Sequence, residues 1–275
     1  MQTIQNKPTA SSIITQRDIE MDSFLPAWAR RSNPIVRREL GLFWKRLFPD
    51  TKLIAKIVGG ELLLLLLPIQ FLLTVTLPIA MLGVVMLPVL AFLYGRTILT
   101  VINAAAVSIV NASNNNTLDL LRVTPLPNHY IVLGKIAASV WQRIEDIDMV
   151  LIGATVFSLP FLVIHYVGTV PTNEVTLLMR FVTALAIVAL PLRVILEPFM
   201  FAAVALAAGT ALPTRAAAVI TTLGMMVFYY LLLFVPLNSP MAFGLQVLWE
   251  LVLPVVIPAA IIAIAVRFAM WQIEQ

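Results

Sequence analysis

A run of 34 residues without a charged side chain, residues 62–95, most constrains what this chain can fold into. As a helix at about 1.5 Å per residue it would extend about 50 Å, well beyond the ~30 Å hydrocarbon core of a bilayer. Further apolar runs follow it, and 60% of the 275 residues are hydrophobic while only 12% are charged. Because one aqueous core cannot absorb so much apolar surface, the sequence predicts an integral membrane protein.

The apolar runs are continuous and do not alternate with a period of two, which predicts transmembrane helices and excludes a β-barrel. The expected fold class is therefore all-α, with a six-helix transmembrane domain over residues 51–275. The six spans are expected at about residues 53–76, 80–110, 147–167, 177–211, 216–236 and 243–268. A tight turn near Pro78 would join the first two spans.

The N-terminal region divides into two parts. Residues 1–25 are predicted to form a polar tail without a signal peptide. Residues 26–50 predict an amphipathic helix at the membrane surface, with Asn33 as its N-cap and Pro34 at its first position. Apolar residues would face the acyl chains and basic residues the headgroups; the surface residues are Arg37, Arg38, Trp44, Lys45 and Arg46. A soluble helix packed on a partner protein is the alternative.

The distribution of basic residues predicts the orientation. With six spans both termini lie on one side, and placing that side in the cytoplasm puts 15 of the 18 Lys and Arg residues there. Such an excess is typical of cytoplasmic loops, so we expect a multi-pass protein of the cell membrane with both termini inside. The net charge of +4 fits this orientation signal better than nucleic-acid binding.

Four charged residues are predicted at membrane depth: Arg96, Arg193, Glu197 and Glu250. An unpaired charge there costs at least about 2.5 kcal/mol, so each must find a partner. Arg193 and Glu197 are four residues apart and share a helix face, which predicts a local pair. Arg96 would then pair with Glu250. We favour a structural lock between helices over a polar substrate path, because the four charges balance.

No enzymatic, cofactor or metal site is expected. The chain has no cysteine, which excludes disulfides and thiol chemistry. His129 and His165 fall on opposite predicted sides, so a histidine metal site is not expected. Tyr229 and Tyr230 fit a packed or lipid-facing span better than a cofactor pocket.

The largest expected cytoplasmic loop, residues 111–146, holds the longest polar stretch after residue 60. Within it, Asn116 or Thr117 can cap a short helix that Pro125 ends. A cytoplasmic helix with apolar positions favours a protein partner, and a simple connector lying on the headgroups is the equally weighted alternative.

The stretch "TLDLLRVTPLPNHYIVLGK", residues 117–135, resembles the coupling segment of ABC exporter permeases of the ABC-2 (type-2) class. The segment "NPIVRREL" at residues 33–40 is similar to the amphipathic N-terminal helix of that family, and six spans with both ends inside match as well. The resemblance implies a coupling helix that docks on an ATPase through Thr117, Leu118, Asp119, Leu120, Leu121, Arg122, Thr124, Pro125 and Leu126.

The family resemblance further implies a permease subunit in the bilayer that pairs with a second permease copy and with a separate ATP-binding subunit. The chain itself cannot hydrolyse ATP, because Gly134 and Lys135 lack the preceding glycine and the following Ser or Thr of a phosphate loop. A second hypothesis is a permease-like accessory or scaffold subunit of a larger membrane assembly, such as an energy-transducing complex. The self-neutralising intramembrane charges fit that hypothesis.

Overall fold

The computed structural model describes residues 22–41, 49–115, 127–169, 177–234 and 242–274, and within them the regular structure is helical, without a strand. A short π-helical turn, Leu248–Val252, joins the last two α-helices. The α-helices are α1 (Pro34–Leu40), α2 (Thr51–Leu64), α3 (Ile69–Asn114), α4 (Asn128–Trp141), α5 (Ile144–Thr169), α6 (Leu177–Ala211), α7 (Arg215–Phe234), α8 (Phe243–Val247) and α9 (Leu253–Glu274).

Five stretches of the described residues are long and apolar enough to cross a membrane: α3, α5, α6, α7 and the continuous stretch Phe243–Glu274. The chain is therefore a multi-pass helical membrane protein. Four of the six predicted spans, those after residue 146, correspond to these stretches. α2 has 14 residues and is too short to be counted with them.

The first predicted hairpin is wrong. No turn occurs at Pro78, because α3 continues for 46 residues through Pro78 and Pro88. The break lies earlier, at residues 65–68, where Pro68 precedes α3 and Leu67 donates its N–H to the carbonyl of Leu64 in a tightened last turn. Pro68 has no N–H to continue α2, and it disfavours the helical conformation of Leu67. Arg180 on α6 donates to the carbonyl of Leu67, 3.0 Å away.

The N-terminal helix follows the predicted capping. Asn33 Oδ1 accepts from the N–H of Ile35, and Pro34 occupies the first turn. The apolar face of α1 does not lie on lipid as predicted. Val36 and Leu40 are fully buried in the main hydrophobic core of the chain itself. The physical reason is that α4 provides an apolar partner surface, where Gly134 allows close approach of Ile35.

Both α1 and the end of α9 pack at one end of the helix bundle, which we call the terminal end. The indole N–H of Trp141 on α4 donates to the carbonyl of Ala29, and Asn128 donates to Glu274 on α9. α2 lies along α5 in the same direction: Ile54 packs beside Val150, and the end of α2 packs in the cluster of Tyr166. The chain therefore runs along α2 from the terminal end to the opposite end before α3 returns.

Candidate functional site: two carboxylate clusters beside one cavity

Glu197, on α6, is the most completely bonded acid in the described part of the bundle. Its side chain is 1% exposed. Oε1 accepts from Arg193 Nε at 2.6 Å and from the Tyr229 hydroxyl at 2.9 Å. Oε2 accepts from the hydroxyls of Tyr94 at 2.7 Å and Tyr230 at 2.8 Å. Four donors from three helices thus satisfy one carboxylate, and we call these five residues the Glu197 cluster.

The predicted pair of Arg193 and Glu197 is confirmed, since four residues along a helix bring both side chains to one face. The three tyrosines were not foreseen. Tyr94 lies 103 residues from Glu197, and no sequence spacing links such distant positions. The sequence does carry one general signal for such contacts. A tyrosine hydroxyl at membrane depth has no water to donate to, so it must find an acceptor within the protein.

Glu250 forms a second cluster towards the end of the bundle opposite the terminal end. Its oxygens lie 3.1 and 3.3 Å from His165 Nε2, and Oε2 accepts from the Tyr166 hydroxyl at 3.2 Å. Gln246 donates to Oε1 at 2.8 Å. Glu250 stands in the π-helical turn, a local geometry that often occurs at functional sites. We call these residues the Glu250 cluster.

The predicted pairing of Arg96 with Glu250 does not agree with the structure. The described partners of Glu250 are the three residues above, and Arg96 is exposed beside a small cavity of about 60 Å³ that Arg143 and Asp146 also line. The physical reason is depth: Arg96 lies on α3 next to the start of α5, whereas Glu250 lies next to the end of α5.

A cavity of about 630 Å³ lies between α5, α6, α7 and the π-helical turn. Arg193 and Tyr230 reach it from the Glu197 cluster, and His165, Tyr166 and Glu250 reach it from the Glu250 cluster. Most of the remaining lining is aliphatic or aromatic. A mostly apolar cavity of this size with a few convergent polar groups is typical of a small-molecule site, for which volumes of about 300–1,000 Å³ are usual.

The terminal end of the bundle carries a polar cavity of about 410 Å³, lined by Glu39, Ser108, Asn111, Asn115 and Gln142 among others. Behind it, the Lys135 ammonium is fully buried and lies 2.7 Å from Glu39 Oε1 and 2.9 Å from the carbonyl of Ser108. Burial lowers the pKa of Lys135, and the neighbouring Glu39 carboxylate opposes that shift. One ammonium thus connects α4 to α1 and α3.

The predicted coupling helix, residues 117–126, lies outside the described residues, as do Trp44, Lys45 and Arg46 of the predicted membrane surface. Arg37 and Arg38 are described and are exposed, and their contact with headgroups stays a prediction. The flanks of the coupling segment are also described: Asn115 follows α3, and Pro127 precedes α4. Both flanks therefore lie at the terminal end.

Among the described residues, no group of three His, Cys, Asp or Glu side chains is arranged to hold a metal ion. Comparisons with protein-family models, with curated proteins and with solved structures give no match. The function is therefore inferred from the geometry of the bundle and from the sequence pattern of its connections.

Proposed function

We propose that this chain is the membrane-spanning permease subunit of an ATP-driven exporter of the ABC-2 class. In this proposal the segment 116–126 docks on a separate ATP-binding subunit, a second permease completes the transporter, and both termini lie in the cytoplasm of a cell with the chain in its plasma membrane. ATP-driven closure of the ATPases would rock the helices as rigid bodies. The chain supplies no catalytic residue.

The observation that carries the proposal is the arrangement of the terminal end. The connection between α3 and α4 leaves and returns there, beside the N-terminal helix. Lys135 ties α4 to α1 by its ion pair with Glu39 and to the 46-residue α3 by a hydrogen bond to the carbonyl of Ser108, so a push on this connection would reach α3 directly. A coupling segment needs such a rigid base, because a loose one would absorb the motion of the ATPase.

The direction of α2 supports a sixth pass. The five long candidates are an odd number and would by themselves leave the two ends of the chain on opposite sides. α1 and the end of α9 nevertheless pack together on α4. If α2 and residues 65–68 complete a short first pass, the count becomes six and both termini lie on one side, as the basic residues predict.

The alternative of an accessory subunit is favoured by a different observation. Glu197 has four donors and Glu250 has three partners, so the carboxylates of both clusters are engaged within the chain. A scaffold needs such locks between its helices and needs no ion path.

Purification of the tagged chain from its native membrane separates the two proposals. Co-purification of a subunit with a phosphate loop supports the exporter, whereas recovery solely with redox or pigment-binding subunits supports the scaffold. In the reconstituted complex, Asp119→Lys and Leu121→Glu should abolish the ATPase stimulation without lowering the amount of the chain in the membrane. The matched control is Glu274→Lys, an exposed charge reversal at the terminal end. Unchanged stimulation in both coupling variants would contradict the docking role.

A further inference from the structure

Arg96, on α3, is a charged side chain without a counter-charge in the described part of the chain. Its guanidinium is exposed, and no described residue forms a hydrogen bond or an ion pair with it. A guanidinium cannot lose its proton in a protein, so the charge persists in any environment. The counter-charge of Arg96 must therefore come from a molecule outside the chain.

The position of Arg96 along α3 corresponds to a membrane surface. α3 begins at Ile69, and the 27 residues before Arg96, residues 69–95, are uncharged. At about 1.5 Å per residue they extend about 40 Å, the thickness of a bilayer that includes its headgroup layers. Arg180 marks the other boundary, because it donates to the carbonyl of Leu67 just before α3. Arg96 thus lies at the level of the headgroups nearer the terminal end.

The exposed surface of α3 changes at the same position. Eleven large apolar side chains of α3 are exposed before Arg96, whereas after it Leu99 alone is. The outward positions that follow include Thr100, Asn103 and Asn111, which are polar. A surface that is apolar along its exposed side is typical of a helix in hydrocarbon. The hydrocarbon layer therefore ends close to Arg96 on this side of the bundle.

The small cavity beside Arg96 has room for one anionic group. Its volume is about 60 Å³, and Arg143 and Asp146 at the start of α5 complete its charged lining. Because one water molecule occupies about 30 Å³ in the liquid, the space suits a single phosphate group and not a whole metabolite. Thr97 and Thr100 also line it, but their hydroxyls donate to carbonyls of α3 itself. The donors that the cavity offers are therefore guanidinium N–H groups.

The charges of the lining favour an anion with one net negative charge. Asp146 Oδ2 lies 3.5 Å from Arg143 Nη1 and balances that guanidinium, which leaves the positive charge of Arg96. Glu145 and Asp148 belong to the same turn of α5, but they do not line the cavity and have interactions of their own. A planar guanidinium matches phosphate oxygens with two parallel N–H donors. A zwitterionic lipid carries its own cation, so its phosphate gains less from Arg96.

Apolar side chains on the hydrocarbon side of the cavity can receive acyl chains. Phe92 lies one turn before Arg96 on the same helix face and is 72% exposed. Met149 lines the cavity one turn after Asp146 and is 51% exposed. α3 and α5 run in opposite directions, so both side chains lie on the same side of the cavity, towards the bilayer centre. The surface thus presents a phosphate contact and then chain contacts, in the order of a phospholipid.

We infer that Arg96 and Arg143 bind the phosphate of an anionic phospholipid whose acyl chains lie along Phe92 and Met149. The head group that fits has one net negative charge and no cation, as in phosphatidylglycerol. The inference goes beyond the proposed function and does not depend on it, because neither an ATPase nor a second permease contributes a residue to this site.

The test is native mass spectrometry of the purified full-length chain in detergent. The chain is titrated with dioleoyl phosphatidylglycerol or with dioleoyl phosphatidylcholine, which has the same acyl chains. The first phosphatidylglycerol should bind about tenfold more tightly, the effect of one hydrogen bond to a charged group. Equal affinities would overturn the inference. An excess of inorganic phosphate should not displace the lipid, and displacement would assign the site to a soluble anion and overturn the inference.

Three variants identify the arginine that is responsible. Arg96→Gln should remove the tenfold preference for phosphatidylglycerol, and Arg96→Lys, which keeps the charge but not the two parallel donors, should retain part of it. Arg267→Gln is the matched control, because Arg267 is an exposed arginine of α9 that does not line this cavity. Equal losses in Arg96→Gln and Arg267→Gln would overturn the inference, since binding would then depend on the overall surface charge. Melting temperatures of the variants in detergent confirm that they remain folded.

Photolabelling and cross-linking in membranes locate the occupant of this surface. A phosphatidylglycerol probe with a diazirine in one acyl chain should label the peptides that contain Phe92 and Met149, and labelling confined to other helices would overturn the inference. The chain has no cysteine, so Phe92→Cys introduces a single thiol. Oxidation should leave this variant monomeric. A disulfide-linked dimer would assign the surface to a second copy of the chain and would overturn the lipid site.

Discussion

Replacement of Glu197 by glutamine should be among the most destabilising conservative changes in this chain. The variant keeps the shape of the side chain but replaces one acceptor oxygen by an amino group. That amino group would face two donors, either Tyr94 and Tyr230 or Arg193 and Tyr229. Two hydrogen bonds to a charged group are then lost, and the guanidinium remains at membrane depth without its counter-charge.

The magnitude follows from the number of bonds. A hydrogen bond to a charged group contributes about 1.5–3 kcal/mol, so the loss of two gives about 3–6 kcal/mol. Removing one partner of a buried ion pair independently costs about 3–5 kcal/mol. We therefore expect Glu197→Gln to lower the free energy of unfolding by about 3–5 kcal/mol. Unfolding in mixed micelles of dodecyl maltoside and SDS, followed by far-UV circular dichroism, measures this change.

Two further variants make the experiment decisive. In the double variant Arg193→Met with Glu197→Gln the orphaned charge is removed, so the double loss should be smaller than the sum of the single losses by at least about 1 kcal/mol. Glu274→Gln, the same chemical change at an exposed position, should stay within about 0.5 kcal/mol of the wild type. A loss below about 1 kcal/mol for Glu197→Gln, or strict additivity in the cycle, would refute the bonding described for this cluster.

Two other predictions concern the packing and the terminal end. Gly209→Val should destabilise the bundle by about 1–3 kcal/mol, because a Cβ there collides with Ile109 of α3. The control Gly224→Val should not destabilise it, because the space around Gly224 is open. Melting curves in detergent compare the two variants. Burial lowers the pKa of Lys135 from its ordinary value of 10.5 despite Glu39, so the unfolded chain binds more protons than the folded chain between the lowered value and 10.5. The free energy of unfolding of the wild type, relative to that of Lys135→Met, should therefore rise with pH through that window. Denaturation curves over a pH series measure this difference, and a difference that falls as the pH rises would contradict the lowered pKa.

The sequence by itself determined the features that depend on local composition and spacing. The predicted end of the fourth span, residue 211, is the last residue of α6 (Leu177–Ala211), because Pro213 follows two positions later and disfavours a helical Leu212. The cap at Asn33 and the pair of Arg193 with Glu197 also follow from neighbours within four residues. Such contacts are fixed by helix geometry whatever the rest of the chain does.

The tertiary structure decided whatever depends on residues that are distant in the chain. Pro78 does not end a helix, since neighbouring helices support a proline within a membrane helix and the turn falls at Pro68 instead. The partners of Glu250 come from α5 and from the preceding helical turn. Charge balance in the sequence pointed to Arg96 instead, because it carries no information on which helices are neighbours. The tyrosines around Glu197 meet it only because α3, α6 and α7 pack side by side, and the cavity is lined jointly by α5, α6, α7 and the π-helical turn, which are distant in the chain.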